Sequence, residues 1–266
     1  MSKTHESTRV RRPVVLRTLV VRRVTRITPR MLRVTLGGDE LAGFTSGAPD
    51  DHVKLFFPLP GDNAPSLPDI GAEGLIERGD APVSPMRDYT PRRHDAQRNE
   101  LDIDFVLHGD GPASDWAAQA APGQRIGVGG PRGSFVVAAD FDTYVMVGDE
   151  TALPAIGRWL EELPAHSRAI AIIEIEDANE RQALTSRATV ELHWIERSGT
   201  REGNGDALER ALRELPSPPG DSYYWIAAES RRARALRNHL IDERGIDKDW
   251  VKATGYWKRD GDGDED

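Results

Sequence analysis

The stretch Arg87–Arg92 reads Arg-Asp-Tyr-Thr-Pro-Arg and has the residue types needed to hold a planar ligand that carries phosphate. The guanidinium of Arg87 can pair with a pyrophosphate through two parallel hydrogen bonds. The ring of Tyr89 can lie flat against a flavin, and the hydroxyl or backbone N–H of Thr90 can reach the edge of the same ring system. A basic, proline-containing loop with one buried tyrosine would read the same, so the rest of the chain decides between the two interpretations.

A second stretch, Val106–Trp116, predicts a strand that runs into a glycine-rich turn and then into a helix. Ser114 is the predicted N-cap of this helix, which covers Asp115–Ala121. Backbone N–H groups at a helix start bind phosphate well, helped by the helix dipole. An ordinary capped helix after a tight turn is the alternative, but the order of the two motifs favours phosphate binding.

The sequence around these motifs, up to residue 139, has the pattern of an antiparallel β domain. Short runs of β-branched or alternating residues are separated by Gly, Pro and Asp, which predicts a barrel or a sandwich. The segment Gly61–Ser84 has little periodicity and is predicted to be a surface excursion. We predict a first domain over 1–139, with strands at Val14–Val24, Met31–Leu36, His52–Phe57, Leu101–Leu107 and Arg125–Val128.

From Asp140 the pattern changes to alternating strands and helices, which predicts a parallel sheet with crossover helices over 140–259. Residues 260–266 are acidic and Gly-rich, and we expect them to form a disordered tail. The predicted strands are Tyr144–Val147, Ile170–Ile175, Val190–Ile195 and Tyr223–Ala227. The predicted helices are Leu153–Leu163, Ala178–Thr185, Asp206–Leu215 and Arg231–Arg244.

The composition excludes several classes of protein. With 44 acidic and 35 basic residues the net charge is −9, which argues against a nucleic-acid partner. There is no cysteine, so disulfides, thiolate metal sites and a cysteine nucleophile are excluded. The histidines show no close pairing, and no metal site is predicted. Because we find neither a signal-peptide core nor a membrane span, we expect a cytoplasmic protein with no membrane partner, and a monomer.

Six stretches, taken in order, resemble the siderophore-interacting protein family, a branch of the ferredoxin reductase-like flavoproteins. They are Asp51–Pro58, Arg87–Arg92, Phe105–Trp116, Gly129–Phe135, Gly148–Ile156 and Gly255–Lys258. The resemblance implies an FAD-binding antiparallel Greek-key β-barrel followed by a parallel-sheet α/β domain of the ferredoxin reductase NAD(P)-binding type. It also implies reduction of ferric siderophores to the ferrous state with release of iron, a reaction that the flavin performs without a catalytic side chain.

The resemblance also implies which residues contact FAD. Arg87, Tyr89 and Thr90 would contact the flavin and its phosphates. Trp257 has the position of a C-terminal aromatic residue over the other flavin face, although it could equally anchor the last strand in the core. Residues expected to line the ribityl–pyrophosphate path are His108, Gly111, Ala113 and Ser114, and His52 is expected near the cofactor. Either histidine could instead be a half-buried strand residue bonded to backbone.

The substrate side of the resemblance is a basic group formed by Lys54, Arg132 and Lys258. Many ferric siderophores are anionic, so a docking site for them needs fixed positive charge in a protein of net negative charge. The family has an arginine after the C-terminal tryptophan, and Lys258 keeps that charge but loses the planar fork. Each of the three could instead be a solvated surface cation.

The electron donor is less well defined. The turn after the first strand of the second domain is Gly148-Asp-Glu-Thr, not a glycine-rich dinucleotide turn. Glu150 and Thr151 suit a nicotinamide pocket or a helix N-cap, and Glu174–Asp177 could hold a ribose 2′-hydroxyl. We expect NAD(P)H as the donor, with ferredoxin as the alternative.

Two other functions would use the same features. A flavin reductase or diaphorase would pass electrons to a protein partner. A non-catalytic siderophore-binding module would have lost FAD, but the intact Tyr89, Thr90 and glycine-rich turn argue against it. Whether ferric chelates reoxidise the reduced protein separates a siderophore reductase from a diaphorase.

Overall fold

The computed structural model describes residues 4–71, 74–76, 84–109, 111–198 and 207–259. The chain divides into two compact units. The first, Glu6–Ala138, is called the barrel unit below. The second, the α/β unit, joins the described residues of Ala139–Asp266 to those of Met1–His5. The predicted acidic tail, 260–266, and most of the later half of the predicted excursion Gly61–Ser84 lie outside the described residues.

The barrel unit consists mainly of antiparallel strands. Seven of them form one sheet in the order β7-β4-β10-β2-β3-β9-β8, while β1 pairs with β11 and β5 with β6. The strands are β1 (Thr8–Arg11), β2 (Leu16–Thr28), β3 (Met31–Gly37), β4 (Val53–Phe56), β5 (Asp69–Gly71), β6 (Gly74–Ile76), β7 (Met86–Tyr89), β8 (Arg93–Asp95), β9 (Glu100–Val106), β10 (Arg125–Gly129) and β11 (Gly133–Val136). A short helix, α1 (Pro112–Ala118), follows β9.

The connection between β7 and β8 shows that the seven-stranded sheet curls like a barrel. These strands lie at opposite edges of the sheet, yet Tyr89 ends β7 and Arg93 begins β8. Four steps along an extended chain reach at most about 15 Å. A flat sheet of seven strands would separate its edges by about 29 Å, at about 4.8 Å per strand. The sheet must therefore bend until its edges approach each other, and the residues that join them belong to Arg87–Arg92.

Alternate residues of the strands fill the interior of the barrel unit. In β3, for example, Val34 and Leu36 are fully buried in a cluster that also contains Leu19 of β2 and Ile103 of β9. Burying such side chains contributes about 1.5–3 kcal/mol each relative to leaving them in water. Trp116 of α1 packs into the same cluster, so the helix is fixed to the barrel by its apolar face.

The α/β unit has a five-stranded sheet in which all neighbouring strands are parallel, in the order β14-β13-β12-β15-β16. Its strands are β12 (Thr143–Gly148), β13 (Arg168–Ile175), β14 (Thr189–Glu196), β15 (Ser222–Glu229) and β16 (Val251–Trp257). Its α-helices are α2 (Leu153–Glu162), α3 (Ala207–Glu214) and α4 (Ser230–Asn238), the last continued by a π-helical turn, His239–Glu243. The strand order reverses at β12, and ligands of open α/β sheets bind outside the carboxyl ends of the strands at such a point.

Both faces of this sheet are covered, which explains why its central strands are apolar throughout. On one face, Trp159 of α2 packs against the rings of Tyr144, Tyr223 and Trp225, at centroid distances of 6.5, 6.2 and 5.7 Å. On the other face, alternate strand residues join a cluster with α3 and α4 that includes Val145, Val147, Ile226, Leu208, Leu212 and Leu236.

The predicted order, an antiparallel barrel-type domain followed by a parallel α/β sheet, is confirmed, but several elements differ. The helix predicted over Ala178–Thr185 is wrong. Only a 3-10 turn forms at Ala178–Glu180. The backbone of Arg181 is already extended, and its guanidinium pairs with Glu196 at 2.7 Å. Tertiary contacts such as this one override the weak helix propensity of so short a segment. The edge strand β16 was not predicted, nor were the short strands β1, β5, β6, β7, β8 and β11 of the barrel unit.

Candidate functional site

The motif Arg87–Arg92 lies at the closure of the barrel-like sheet, partly exposed and partly buried. Tyr89 packs its ring on Phe105 at a centroid distance of 4.5 Å, and Thr90 is buried. Burial raises the pKa of the Tyr89 phenol well above its usual value of 10, although the charge of Arg87 opposes the shift. The phenol is therefore neutral, and its ring is held rigidly by the core.

Arg87 itself is exposed, and its Nη1 donates to the carbonyl of Met86 at 2.8 Å. Within the part of the chain that the structure describes, no carboxylate pairs with this guanidinium. Its remaining donors are available to a ligand on the surface of the barrel unit, beside the ring of Tyr89. This is the combination of groups that the sequence predicted for a phosphate-bearing flavin.

The turn between β9 and α1 differs in detail from its prediction. Ser114 is not the N-cap, because the helix begins with Pro112 and the capping position is Gly111, which has no side chain. The buried hydroxyl of Ser114 instead accepts hydrogen bonds from the backbone N–H groups of His108 and Gly109, at 3.2 and 3.3 Å. Ser114 therefore shapes the turn.

The same turn is open to a ligand. Gly111 has φ +98°, a conformation that L side chains rarely adopt, and a Cβ atom added there would meet nothing within 4 Å. Ala113 follows in the first turn of α1, where backbone N–H groups have no partner inside the helix. His108, beside this turn, is exposed.

The two histidines assigned to the cofactor are not half-buried strand residues, so that alternative is wrong. His52 precedes β4, His108 follows β9, and both are exposed. Within the described residues, no group of three or more histidine, aspartate or glutamate side chains could hold a metal ion. None of the helices within those residues is both long and apolar enough to cross a bilayer.

The three basic residues differ in how far their charge is already compensated. Lys54 donates from Nζ to Asp88 Oδ1 at 2.9 Å. Arg132 is exposed, and no described carboxylate pairs with it. Lys54 pairs in register with Gly129, three residues before Arg132, so both lie at one end of the barrel sheet. Lys258 is exposed and belongs to the α/β unit.

In the α/β unit, Asp149 connects the end of β12 to the end of β16. Its carboxylate accepts the indole N–H of Trp257 at 2.8 Å and the backbone N–H of Thr151 at 2.9 Å. Burial raises the pKa of Asp149, whereas these hydrogen bonds oppose the rise. Trp257 remains 38% exposed, so it does not anchor the last strand in the core. Asp149 fixes the edge of this ring while a face stays accessible, a role that the sequence did not reveal.

The turn after β12 also requires Gly148. A Cβ atom there would lie 2.4 Å from Ala152 Cβ and 2.5 Å from the carbonyl oxygen of Ala227, both too close for any side chain. Thr151 donates its hydroxyl to Asp149, and the N-cap of α2 is Ala152 without a side-chain cap. The N-cap interpretation of Glu150 and Thr151 is therefore wrong.

Glu150 and its neighbours form a network with two arginines at the carboxyl ends of the parallel strands. The Glu150 carboxylate pairs with Arg197, which also reaches Glu176 at 3.2 Å. The Glu174 carboxylate is fully buried and is held by both Nη atoms of Arg232, at 2.8 and 2.7 Å. The Glu174 carboxylate is therefore occupied by Arg232, and within the stretch Glu174–Asp177 the half-buried Glu176 and Asp177 stay predicted to hold a ribose hydroxyl. Neither arginine was singled out from the sequence, since nothing local indicates partners 21 to 58 residues away.

The residues of the barrel unit fit FAD. The unpaired Arg87 and the open turn at Gly111 provide donors for phosphate, and the rigid ring of Tyr89 provides an aromatic surface. The chain thus has the features of a flavoprotein with an antiparallel barrel unit and a parallel nucleotide-binding type of sheet. Comparison with solved structures agrees on the fold: a ferredoxin NADP+ reductase from Neisseria gonorrhoeae with bound FAD and NADP superimposes with a TM-score of 0.57. That superposition covers 91% of this chain and 99% of the other at 15% identity.

The chain belongs to the siderophore-interacting protein family. The model of the siderophore-interacting FAD-binding domain matches residues 20–135, and the siderophore-interacting protein model matches residues 141–260. A siderophore utilization protein from T. fusca superimposes with a TM-score of 0.88 at 42% identity, over 96% of this chain and 97% of that one.

Curated relatives extend over most of both chains. The NADPH-dependent ferric-chelate reductase of Escherichia coli K12 is 36% identical over 252 residues, which cover 94% of this chain and 95% of the relative. The ferric vibriobactin reductase of Vibrio cholerae is 34% identical over 236 residues, covering 88% of this chain and 86% of the relative.

Proposed function

We propose that this protein is an FAD-dependent ferric-siderophore reductase that uses NAD(P)H as its electron donor. The observation that carries the proposal is the match of the family's FAD-binding domain to residues 20–135, which contain an intact Arg87–Arg92 motif at the closure of the barrel sheet. Relatives at 34–36% identity bear the names of ferric-chelate and ferric vibriobactin reductases, which supports the same reaction here.

The proposed FAD contacts in the barrel unit are of two kinds, polar contacts to the phosphates and aromatic contacts to the flavin ring. Arg87 pairs with the pyrophosphate, and the first-turn donors near Gly111, Ala113 and Ser114 complete the phosphate site. Tyr89 holds the isoalloxazine ring by its rigid aromatic face, and Thr90 contacts the ring's edge. His52 and His108, both exposed, are the remaining candidates in this unit.

In the α/β unit the candidates are Glu150, Thr151 and Trp257. Trp257 presents a partly exposed aromatic face whose orientation is fixed by Asp149. Glu150 is held by Arg197, so its charge is largely compensated. This matters for a dinucleotide donor, because an uncompensated carboxylate at the carboxyl end of β12 would repel the donor's phosphates.

Substrate binding is proposed to depend on Arg132, Lys54 and Lys258. Of the two residues in the barrel unit, Arg132 has more charge available for a ligand, because Lys54 forms an ion pair with Asp88. Each of these residues offers positive charge to an anionic ferric chelate in a protein whose net charge is −9.

The chemistry requires no acid, base or nucleophile from the protein. Bound FAD would supply the redox chemistry, which is uptake of a hydride from nicotinamide and transfer of single electrons to ferric iron. The side chains bind and orient the reactants, and the neutral Tyr89 phenol adds no charge beside the ring. Iron leaves after reduction because oxygen-donor chelators hold the ferrous ion much more weakly.

The proposal is tested by reducing the FAD-loaded protein without oxygen, using NADPH, NADH or reduced ferredoxin in turn, and then adding a ferric siderophore. We expect the flavin to be reoxidised while a ferrous-specific chelator develops colour. The gallium complex of the same siderophore is the matched control, because it has the same shape and charge but cannot be reduced. If the flavin stays reduced with the ferric complex, the assignment is wrong and a diaphorase becomes the better one.

We also propose a cytoplasmic location and a monomeric state, with ferredoxin as an alternative electron donor.

A further inference from the structure

Two arginines of the barrel unit line a separate cavity. Its described lining includes none of the residues proposed to bind FAD or the electron donor. The cavity has a volume of about 280 Å³. Among the described residues that line it, the charged ones are Arg12 and Arg17, and the others are Pro13, Val15, Gly43, Thr45, Gly130 and Pro131. This volume is close to the lower limit for sites that bind small molecules, about 300 Å³.

Arg17 is buried, and no carboxylate of the described residues forms an ion pair with it. Only 5% of the surface of this residue is exposed. Burial lowers the pKa of Arg17, and the charge of Glu40 opposes the shift only in part. Burying an unpaired charge costs free energy, so such groups are normally paired with an opposite charge.

The guanidinium of Arg17 is held in place with hydrogen-bond donors to spare. Its Nη1 donates to the carbonyl oxygens of Val15 and Gly130, at 3.2 and 3.3 Å. Its Cζ lies over the ring of Phe44, 5.5 Å from the ring centroid. Its buried Nε has no hydrogen-bond partner among the residues that the structure describes. A guanidinium has five N–H donors, and two carbonyls do not use them all.

Arg12 adds a second cation to the same cavity. Its Nη1 donates to the hydroxyl of Ser134, which in turn donates to Asp51 Oδ2 at 2.7 Å. The Asp51 carboxylate also accepts from Ser46 and from backbone N–H groups. Asp51 therefore orients Arg12 through Ser134 and forms no direct ion pair with it in the described structure.

From this arrangement we propose that Arg12 and Arg17 form a binding site for a small oxyanion, either inorganic phosphate or the carboxylate of a small molecule. Phosphate and carboxylate each offer two oxygen acceptors that a guanidinium can bind in a bidentate manner. Each also supplies negative charge to balance the two arginines. The site is independent of the proposed reductase activity.

The test follows the Nε–H resonance of Arg17 by NMR in the full chain with saturating FAD. The resonance is assigned as the one that disappears in Arg17→Met. Sodium phosphate and sodium acetate are titrated separately at constant ionic strength, with chloride as the balancing salt. We expect a saturable shift with at least one of the two oxyanions, and the oxyanion that produces it identifies the source. Arg12→Met should weaken the binding about tenfold or more.

Thermal unfolding provides a second measurement. The oxyanion should raise the unfolding temperature of the wild type by about 5 °C or more at 100 times its Kd, but not that of Arg17→Met. Arg98→Met, at an exposed arginine of the same unit, should respond like the wild type. Arg87→Ala should also respond normally, which separates this site from the FAD site. Arg12→Met tests the cavity independently if Arg17→Met does not fold.

Equal shifts with chloride and with both oxyanions, or a shift that never saturates, would overturn the proposal. So would a thermal response that survives both Arg12→Met and Arg17→Met.

Discussion

Two sets of arginines, one in each unit, have opposite surroundings. In the α/β unit, Arg197 and Arg232 are held by buried or half-buried carboxylates. In the barrel unit, Arg12, Arg17 and Arg87 have no carboxylate partner within the described residues. The pKa values follow this contrast: hydrogen bonds to Glu150 raise that of Arg197, whereas burial lowers that of Arg17.

This difference indicates separate roles for the two sets. The paired arginines neutralise acidic side chains at the ends of parallel strands and hold those ends together. The unpaired arginines leave positive charge for ligands, which is what FAD phosphates and anionic ferric chelates require. A protein with a net charge of −9 thus keeps local cationic surfaces by leaving particular arginines without acidic neighbours.

The largest expected effect comes from breaking a buried pair. Glu174→Ala removes the partner of Arg232 and leaves a cation that is only 15% exposed. We expect the free energy of unfolding of the α/β unit to fall by about 3–5 kcal/mol, measured by urea denaturation. The double variant Glu174→Leu/Arg232→Met should recover most of this loss, because it removes both charges.

The matched control is the exposed pair formed by Arg168 and Glu191, with side chains 45% and 47% exposed. Glu191→Ala should cost at most about 1 kcal/mol. A cost for Glu174→Ala no greater than this would contradict a structural role for the buried pair.

The next effect concerns an unpaired arginine. Arg87→Ala should weaken FAD binding by about 1.5–3 kcal/mol, or roughly 10- to 150-fold, because a charged hydrogen bond to phosphate is lost. Quenching of FAD fluorescence on binding measures the affinity. The FAD affinity of Arg87→Lys should lie between those of the wild type and Arg87→Ala, since lysine keeps the charge without the planar fork. Arg98→Ala, at an arginine whose side chain is 70% exposed, is the control, and equal FAD affinity in Arg87→Ala would remove Arg87 from the site.

The sequence alone was sufficient for features that depend on local pattern. Alternating apolar residues predicted Met31–Leu36, and the strand is Met31–Gly37. The amphipathic run Leu153–Leu163 forms α2 at Leu153–Glu162. The family resemblance is confirmed by the match to both family models. It could be recognised from the sequence because it depended on several short motifs in a fixed order, each of which is a local signal.

The features that were missed depend on distant partners. β16 has the mixed sequence Val-Lys-Ala-Thr-Gly-Tyr-Trp, without an apolar run, and is a strand because it adds to the edge of β15. Asp149 could not be connected with Trp257, 108 residues away, nor Glu174 with Arg232. The unpaired state of Arg17 is likewise a property of the folded neighbourhood, which no local pattern encodes.

A smaller effect should distinguish the exposed cations of the barrel unit. Arg132→Ala should raise KM for an anionic ferric chelate about two- to fivefold, and raising the salt concentration should diminish the difference. Lys54→Ala should have a smaller effect, because Asp88 already compensates part of its charge. FAD content should be unchanged in both variants. A KM that is the same for chelates of different charge in all three proteins would argue against electrostatic docking.

The smallest effect concerns a cation that is paired twice. In the α/β unit, His5 Nδ1 lies 2.8 Å from Asp140 Oδ1, and its Nε2 lies 3.1 Å from Asp221 Oδ2, with the ring stacked on Phe141 and edge-on to Trp250. Both ring nitrogens must carry hydrogen to donate, so this geometry requires the protonated form. Burial opposes protonation, but the two carboxylates more than offset it and raise the pKa of His5 above 6.5.

Since the folded pKa is raised, the contribution of His5 to stability should be fully present below about pH 6.5 and be lost as the pH rises through the folded value. His5→Gln should therefore destabilise the protein more at pH 6 than at pH 8.5, by less than the cost of Glu174→Ala, in urea unfolding at the two pH values. His166→Gln, at an exposed histidine of the same unit, should show no such difference. If His5→Gln has the same effect at both pH values, the paired imidazolium is not formed, and the contrast between paired and unpaired cations would then rest on the arginines alone.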